Sequence, residues 1–219
     1  MGDSHRVQFT AQAREMETAV FIHHGPYERI PADSSPGLRF LERFLPAVDS
    51  LDPDHQPIGH FFTPNAPILI GSNPPNSASQ TTPLLNVRSR HLSHFHHDVH
   101  IAWDLDLSKV DAPRAGLGDG EGHINASDVN LYAPLPGNIQ MKRTVMFEAT
   151  SATVFRQDPD QFPIQIREFN ILDLEGQNES DLQVVEMRVF LDSRPVQARA
   201  ASLNMASAFS ESRTEAEPP

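Results

Sequence analysis

Between Leu182 and Gln197 the chain reads LQVVEMRVFLDSRPVQ. Side chains alternate along an extended strand, so Val185, Met187, Val189 and Leu191 share one face and Glu186, Arg188, Phe190 and Asp192 the other. Ser193-Arg194-Pro195 ends the strand, because proline has no N–H to give a ladder. The same period of two begins at His96. Val99, Ile101, Trp103 and Leu105 point one way, and Asp98, His100, Ala102 and Asp104 the other. Thr144 to Arg156 and Phe162 to Leu174 are two more strand-like runs. Asp158-Pro159-Asp160 and Glu175-Gly176-Gln177-Asn178 are the turns that separate the last three strands.

Upstream, the spacing is helical. Asp33-Ser34-Ser35-Pro36 is a helix-start signal, since a serine cap followed by proline at the first helical position costs no hydrogen bond. Leu38, Leu41, Phe44, Leu45 and Val48 then recur at helical spacing and predict a helix over 36–49. Ile58 to Phe62 reads as a short helical turn and Ala66 to Ile70 as a first strand. Gly71 to Pro83 reads as a polar loop. Leu84, Leu85, Val87, Leu92 and Phe95 predict a second helix over 83–95. Residues 1–33 form an N-terminal arm with a short apolar run, Ala19 to Ile22, and a turn signal at Gly25-Pro26. The arm reads as a strand, a helical turn or partly disordered chain. Residues 111–138, rich in Gly, Pro, Asp and Asn, read as a long loop or lid, and 206–219 as a disordered tail.

Helices precede a series of turn-joined, hence antiparallel, strands. That order predicts an α+β domain over 34–205 rather than a doubly wound one. A curved antiparallel sheet, a cone-like half barrel, would hold the N-terminal helices on its concave face and enclose a pocket.

Composition narrows the function. The 219 residues carry a net charge of −12, which argues against nucleic acid and against anionic membranes. Cysteine is absent, so thiol catalysis, disulfides and thiolate metal sites are excluded. No apolar run is long enough to span a bilayer and the N-terminus lacks a signal-peptide layout, so a soluble cytoplasmic protein is expected. There is no phosphate-binding glycine loop, no Gly-x-Ser-x-Gly elbow and no His-Glu-x-x-His pattern.

The combination of FFTPNAPILIG, HFHHDVHIAWDLDL and a closing MRVFLDSRPV resembles the nuclear-transport-factor-2-like fold, in its SnoaL-like and scytalone-dehydratase-like branch, in fungal-type sequences. MRVFLDSRPV is similar to that family's Arg-x-aromatic-x-Asp followed by proline. Where the family usually carries an early Asp, this chain has Asn65-Ala66. The resemblance spans roughly Ser35 to Ala200. It implies a pocket used for cyclisation, dehydration or isomerisation of small apolar metabolites without a cofactor, and a homodimer formed through the outer face of the sheet. It also implies that His94, just before the long strand, and Asp192, at the end of the last one, face the pocket.

The candidate chemistry follows. His94 and Asp192 are the expected proton carriers of a cofactor-independent lyase or isomerase acting on a polyketide- or terpenoid-like intermediate. Trp103, Tyr132 and Phe190 would shape the cavity, with Tyr132 on the lid. Glu148 and Arg188 are candidates for polar substrate contacts, or for cross-strand ion pairs on the outer face. His94, His96, His97 and His100 crowd one stretch around Asp98, and imidazole with carboxylate suits zinc or iron. No distant carboxylate completes a ligand set, so no metal is assigned and the histidines read as an exposed corner. The alternative function is a non-catalytic ligand-binding or dimeric docking protein.

Overall fold

The computed structural model describes residues 19–108 and 140–203. In chain order these form β1 (Val20–His24), α1 (Pro36–Asp49), β2 (Pro67–Ile70), β3 (Asn76–Ser77), α2 (Ala78–His91), β4 (Leu92–Asp106), β5 (Met141–Phe155), β6 (Ile164–Gly176) and β7 (Gln183–Leu191). A last helix, α3, covers residues 194–203. The strands make one open, curved sheet in the order β1-β4-β5-β6-β7-β2-β3. Neighbours from β1 to β7 pair antiparallel; β2 alone runs parallel to its neighbour β7. The α+β architecture is therefore the one the element order implied. The expected lid over 111–138, Tyr132 within it, the first 18 residues and the tail lie outside the described residues. Among those described, no helix is long and apolar enough to cross a membrane.

Three local features depart from the sequence reading. A β-bulge between Val99 and Ile101 inserts one residue into β4. One extra residue reverses the alternation beyond it. Val99 stays on the inner face, but Ala102 and Asp104 become inner, whereas Ile101, Trp103 and Leu105 turn outward. A similar shift between Asp173 and Leu174, opposite Glu186 and Val184, makes Val184 a fully buried core residue in place of Val185. The second helix also starts earlier than expected, at Ala78 rather than 83, and ends at His91, so that Leu92 and Phe95, expected on it, belong to β4. Ser77 and Gln80 form a capping box, the Gln80 side chain accepting from the Ser77 N–H at 3.3 Å. This reciprocal cap starts the helix upstream, and Pro83 sits inside it instead of at its first turn.

The inner face packs on α1. Leu38, Phe40, Leu41, Phe44 and Leu45 meet Val99, Ala102, Val145, Phe147, Leu172 and Val184, all buried. Phe40, Phe44, Phe61 and Phe62 interlock, three of the contacts edge-to-face with centroids 5.6–5.7 Å apart. One polar pin sets the depth of the helix on the sheet. The Gly37 N–H in the first turn of α1 donates to Asp104 Oδ2 at 2.9 Å. Asp104 is fully buried and accepts from Arg143 Nε at 2.8 Å. Gly37 is required here for space, because a Cβ would lie 2.4 Å from the Asp104 carboxylate.

Breaking a buried ion pair on one side leaves the other charge stranded. Asp104→Asn is accordingly expected to destabilise the fold by about 3 kcal/mol, and Gly37→Ala to do so by steric displacement of the same carboxylate. Urea denaturation measures both; unchanged midpoints would show that the pin is dispensable.

Candidate functional site

The inner face of β6 is where the pattern breaks. Ile164, Ile166, Leu172 and Leu174 alternate inward, and between them the same face carries Glu168 and Asn170. Both are buried. A carboxylate and an amide in the middle of an apolar face must find partners or be costly. The Asn170 Nδ2 donates to Glu168 Oε1 at 3.0 Å. The same oxygen receives His97 Nε2 at 2.9 Å.

His97 comes from the inner face of β4 and is 6% exposed. Its other ring nitrogen, Nδ1, is hydrogen-bonded to Asp49 Oδ1 at the C-terminal end of α1, and its backbone N–H donates to Asp49 Oδ2 at 3.0 Å. His96 Nδ1 reaches the same carboxylate at 3.1 Å, and the Tyr27 hydroxyl donates to it at 3.0 Å. A carboxylate at a helix C-terminus is disfavoured by the helix dipole, and here the donors offset that penalty.

These contacts set protonation. Burial alone pushes the His97 imidazolium pKa down, but the hydrogen bonds and charges of Asp49 and Glu168 overcome it and raise the pKa to about 9. Burial likewise pushes the Asp49 carboxyl up, and the hydrogen bonds and charge of His97 outweigh it and hold it below its ordinary value. His97 is thus a doubly donating imidazolium at neutral pH, clamped between two carboxylates.

Beside this group lies a cavity of about 110 Å³, walled by Phe44, Ile58, Phe62, Ile68, Met187 and Val189 and reached by His97, Glu168 and Asn170. A second, more open chamber of about 390 Å³ adjoins it. Its walls include Leu84, Leu92, Phe155 and Ile166, with Ser151 and Thr153 from β5 and Val196 from α3. Ile70, Arg88, Phe95, Glu168 and Leu191 line both chambers. Glu168 therefore stands at their junction. Its Oε2 accepts no hydrogen bond from the described residues. Such a site can hold a small apolar molecule and exchange a proton with it.

The expected site residues fall elsewhere. His94 is exposed on β4, with its ring 6.3 Å from that of His96, and lines neither chamber. Asp192 is exposed at the foot of α3, where it accepts from Arg194 Nε at 2.8 Å and from the Arg194 backbone N–H at 3.1 Å. The Arg194 bonds hold its pKa down to about 2, which makes it a local helix-start brace. Trp103, Glu148, Arg188 and Phe190 lie on the opposite, outer face of the sheet. There Glu148 meets Arg167 at 3.7 Å and Arg188 pairs with Asp173, the cross-strand arrangement that was the alternative for these residues. Trp103 turns outward because of the β4 bulge. The histidine-rich stretch splits as a strand must: His97 points inward while His94 and His100 are exposed. Among the described residues no group of three or more His, Asp or Glu side chains forms a metal site.

Sequence reasoning missed Asp49, Glu168, Asn170 and Arg88 as site residues. Glu168 and Asn170 had a signal, since they interrupt an apolar alternation that continues on both sides. Asp49 had a weaker one, as the sole carboxylate closing an otherwise apolar helix face. Arg88 had none.

No family model and no curated protein matches the chain. Solved structures do. One, assigned as a SnoaL-like polyketide cyclase from Jannaschia sp. CCS1, matches with TM-score 0.46 and 13% identity over 76% of this chain and 95% of its own. The BvnE pinacolase of Penicillium brevicompactum matches with TM-score 0.43 and 12% identity over 78% and 94%. Another protein assigned as a SnoaL-like polyketide cyclase, from Shewanella putrefaciens CN-32, matches with TM-score 0.41 and 10% identity over 92% and 99%. The matches thus include the kind of protein that the sequence resembles.

Because the folded-state pKa of His97 is raised above that of the unfolded chain, the clamp stabilises fully below about pH 6.5 and loses its contribution as pH rises towards 9. NMR titration of the imidazole is expected to show a midpoint near 9, and Asp49→Asn to lower it. A midpoint near 6.5 would remove the clamp.

Proposed function

We propose that the protein is a cofactor-independent lyase or isomerase (a dehydratase, cyclase or isomerase) acting on a small, largely apolar carbonyl compound of polyketide or terpenoid kind. The observation that carries this reading is Glu168. Its carboxylate has one oxygen fixed by His97 and Asn170 and the other open at the junction of two apolar chambers.

The chemistry follows from that geometry. Glu168 Oε2 removes a proton from the carbon beside the substrate carbonyl, and the electron pair moves onto the carbonyl oxygen. The same carboxylic acid then returns the proton to another carbon, which isomerises the substrate. Alternatively it protonates a departing β-hydroxyl, which completes a dehydration. His97 stays charged and keeps Glu168 oriented; Asp49 fixes the His97 ring from the other side. The apolar walls exclude water, so the carboxylate competes with little solvent for the proton. Proton transfer by a positioned group contributes about 10²–10⁴-fold in rate.

A separate observation supports assembly with a second copy. On the outer face Trp103, Phe169 and Phe190 form a row with centroids 6.3 and 6.4 Å apart, and Phe190 is 53% exposed. Val20 and Ile22 of β1 extend the apolar strip on the side of Trp103, and both are more than half exposed. Among the described residues no helix packs on it. Arg167, Glu148, Arg188 and Asp173 border it with both signs of charge, as a surface that meets its own copy requires. A homodimer through this face is the assembly, and the alternative docking function would use the same face.

β-Tetralone, an apolar ketone with acidic α-hydrogens, provides a direct probe. Wild-type protein in D₂O is expected to speed deuterium uptake at its α-carbon, and Glu168→Gln to reduce that rate by roughly 10²-fold or more at a temperature where circular dichroism shows both proteins folded. Equal rates in both proteins would rule out Glu168 as the base. For the assembly, sedimentation is expected to give twice the 24.4 kDa chain mass, and Phe190→Lys to give the single-chain value. A wild-type monomer at micromolar concentration would exclude the dimer.

A further inference from the structure

The chambers hold one more charged group that the proton transfer does not use. Arg88, in the last turn of α2, lines both chambers together with Glu168. Its Nε donates to the Leu85 carbonyl at 3.0 Å and its Nη2 donates to the Val48 carbonyl near the end of α1. Its guanidinium carbon lies 4.5 Å above the centre of the Phe95 ring. These contacts hold the fork in one place. They are all to neutral groups. Two other arginines that pack against the sheet have carboxylates in reach: Arg143 has Asp104 and Asp106, and Arg199 has Asp158 and Asp160. Arg88 forms no ion pair among the described residues, and its Nη1 donates to none of them.

A guanidinium taken out of water with no counter-ion is costly, and an anionic oxygen entering the cavity would offset that cost. Burial pushes the Arg88 pKa down to about 10, with the charge of Asp49 opposing, and leaves the group a cation at neutral pH. The three charged groups around the chambers then have distinct directions. The Glu168 carboxylate repels an anion, the His97 imidazolium attracts one but spends both N–H groups on Asp49 and Glu168, and Arg88 attracts one with a donor to spare. His91 stands apart, in the wall of the outer chamber only.

We propose that Arg88 is the oxyanion-binding residue of the cavity, and that the molecules which fit are enolisable carbonyl compounds whose oxygen becomes anionic beside Nη1. This rests on the acid–base reading of the same cavity. It adds the partner charge that reading lacks: when Glu168 takes the carbon-bound proton, the electron pair that moves onto oxygen forms an enolate, and Arg88 is the cation positioned to receive it. A fixed donor aimed at charge that develops only during the reaction favours the transition state over the bound ketone. It also selects substrates, since a hydrocarbon or an ether of the same shape would leave the guanidinium without an oxygen acceptor.

4-Nitrophenol tests this without turnover, because its phenolate is a stable stand-in for the enolate and absorbs visible light. Bound to wild-type protein, it is expected to ionise at a pH at least one unit below that of the same probe bound to Arg88→Met, and its anion to bind at least tenfold more tightly to wild type. Arg88→Lys, which keeps the charge but not the fork, is expected to fall between them. Glu168→Gln, which removes the repelling carboxylate, is expected to lower the bound ionisation pH further while abolishing deuterium uptake by β-tetralone. The two readings therefore fail separately. Loss of exchange in Glu168→Gln with equal anion binding by wild type and Arg88→Met would overturn the role of Arg88 alone. Binding only of the neutral phenol, or no binding at all, by the folded wild-type protein would also overturn it.

Discussion

A charged imidazole buried between two carboxylates is the constraint on which the rest of the site depends. Asp49 closes α1, His97 lies in β4 and Glu168 in β6, so one short chain of hydrogen bonds ties the helix to two non-adjacent strands. Buried charges of this kind have only one satisfactory arrangement, whereas the surrounding aliphatic contacts would tolerate small shifts. The ionic clamp therefore fixes the position of the helix end over the sheet, and with it the size of the inner chamber. At the other end of α1 the Gly37–Asp104–Arg143 pin performs the same task with a second buried pair.

Both polar connections point inward from the strands and meet the helix at its two ends. Between them the helix contributes only apolar side chains to the sheet. Polar groups at the ends set register, and apolar groups in the middle supply the burial free energy. The cavity is the space left where Phe44, Val48 and Phe62 stop short of Glu168 and Asn170, and its chemistry is that of the few polar groups it could not exclude. Stability and reactivity draw on the same residues. The hydrogen bonds that satisfy Glu168 on one oxygen leave the other free for a ligand.

The two faces of the sheet divide the protein's tasks. The inner face holds the acid–base group and the chambers. The outer face carries the Trp103–Phe169–Phe190 row and exposed ion pairs. Trp103, Glu148, Arg188 and Phe190, four candidates for the pocket, belong to this second face. For three of them the strand alternation was correct and the question was only which side met the helices. For Trp103 the alternation itself was reversed by the bulge.

The extent of α1, the approximate extents of β5, β6 and β7, and the α+β architecture were determined by the sequence, because they follow from local periodicity and from caps such as Ser35-Pro36. Local pattern also held the trace of the site, in the Glu168 and Asn170 that interrupt an apolar series. Three things were decided by tertiary structure. The bulge after Val99 depends on pairing with β5 and has no marker in the residues around it. The choice of inner face depends on where α1 packs, since both sides of β5 and β7 carry enough apolar groups to pass for a core. The convergence of Asp49, His97, Glu168 and Arg88, which are up to 119 positions apart (from 49 to 168), depends on the sheet bringing distant strands together under one helix. Periodicity reports the surroundings of a residue along its own strand or helix; a site made by four separate elements exists only once those elements are packed.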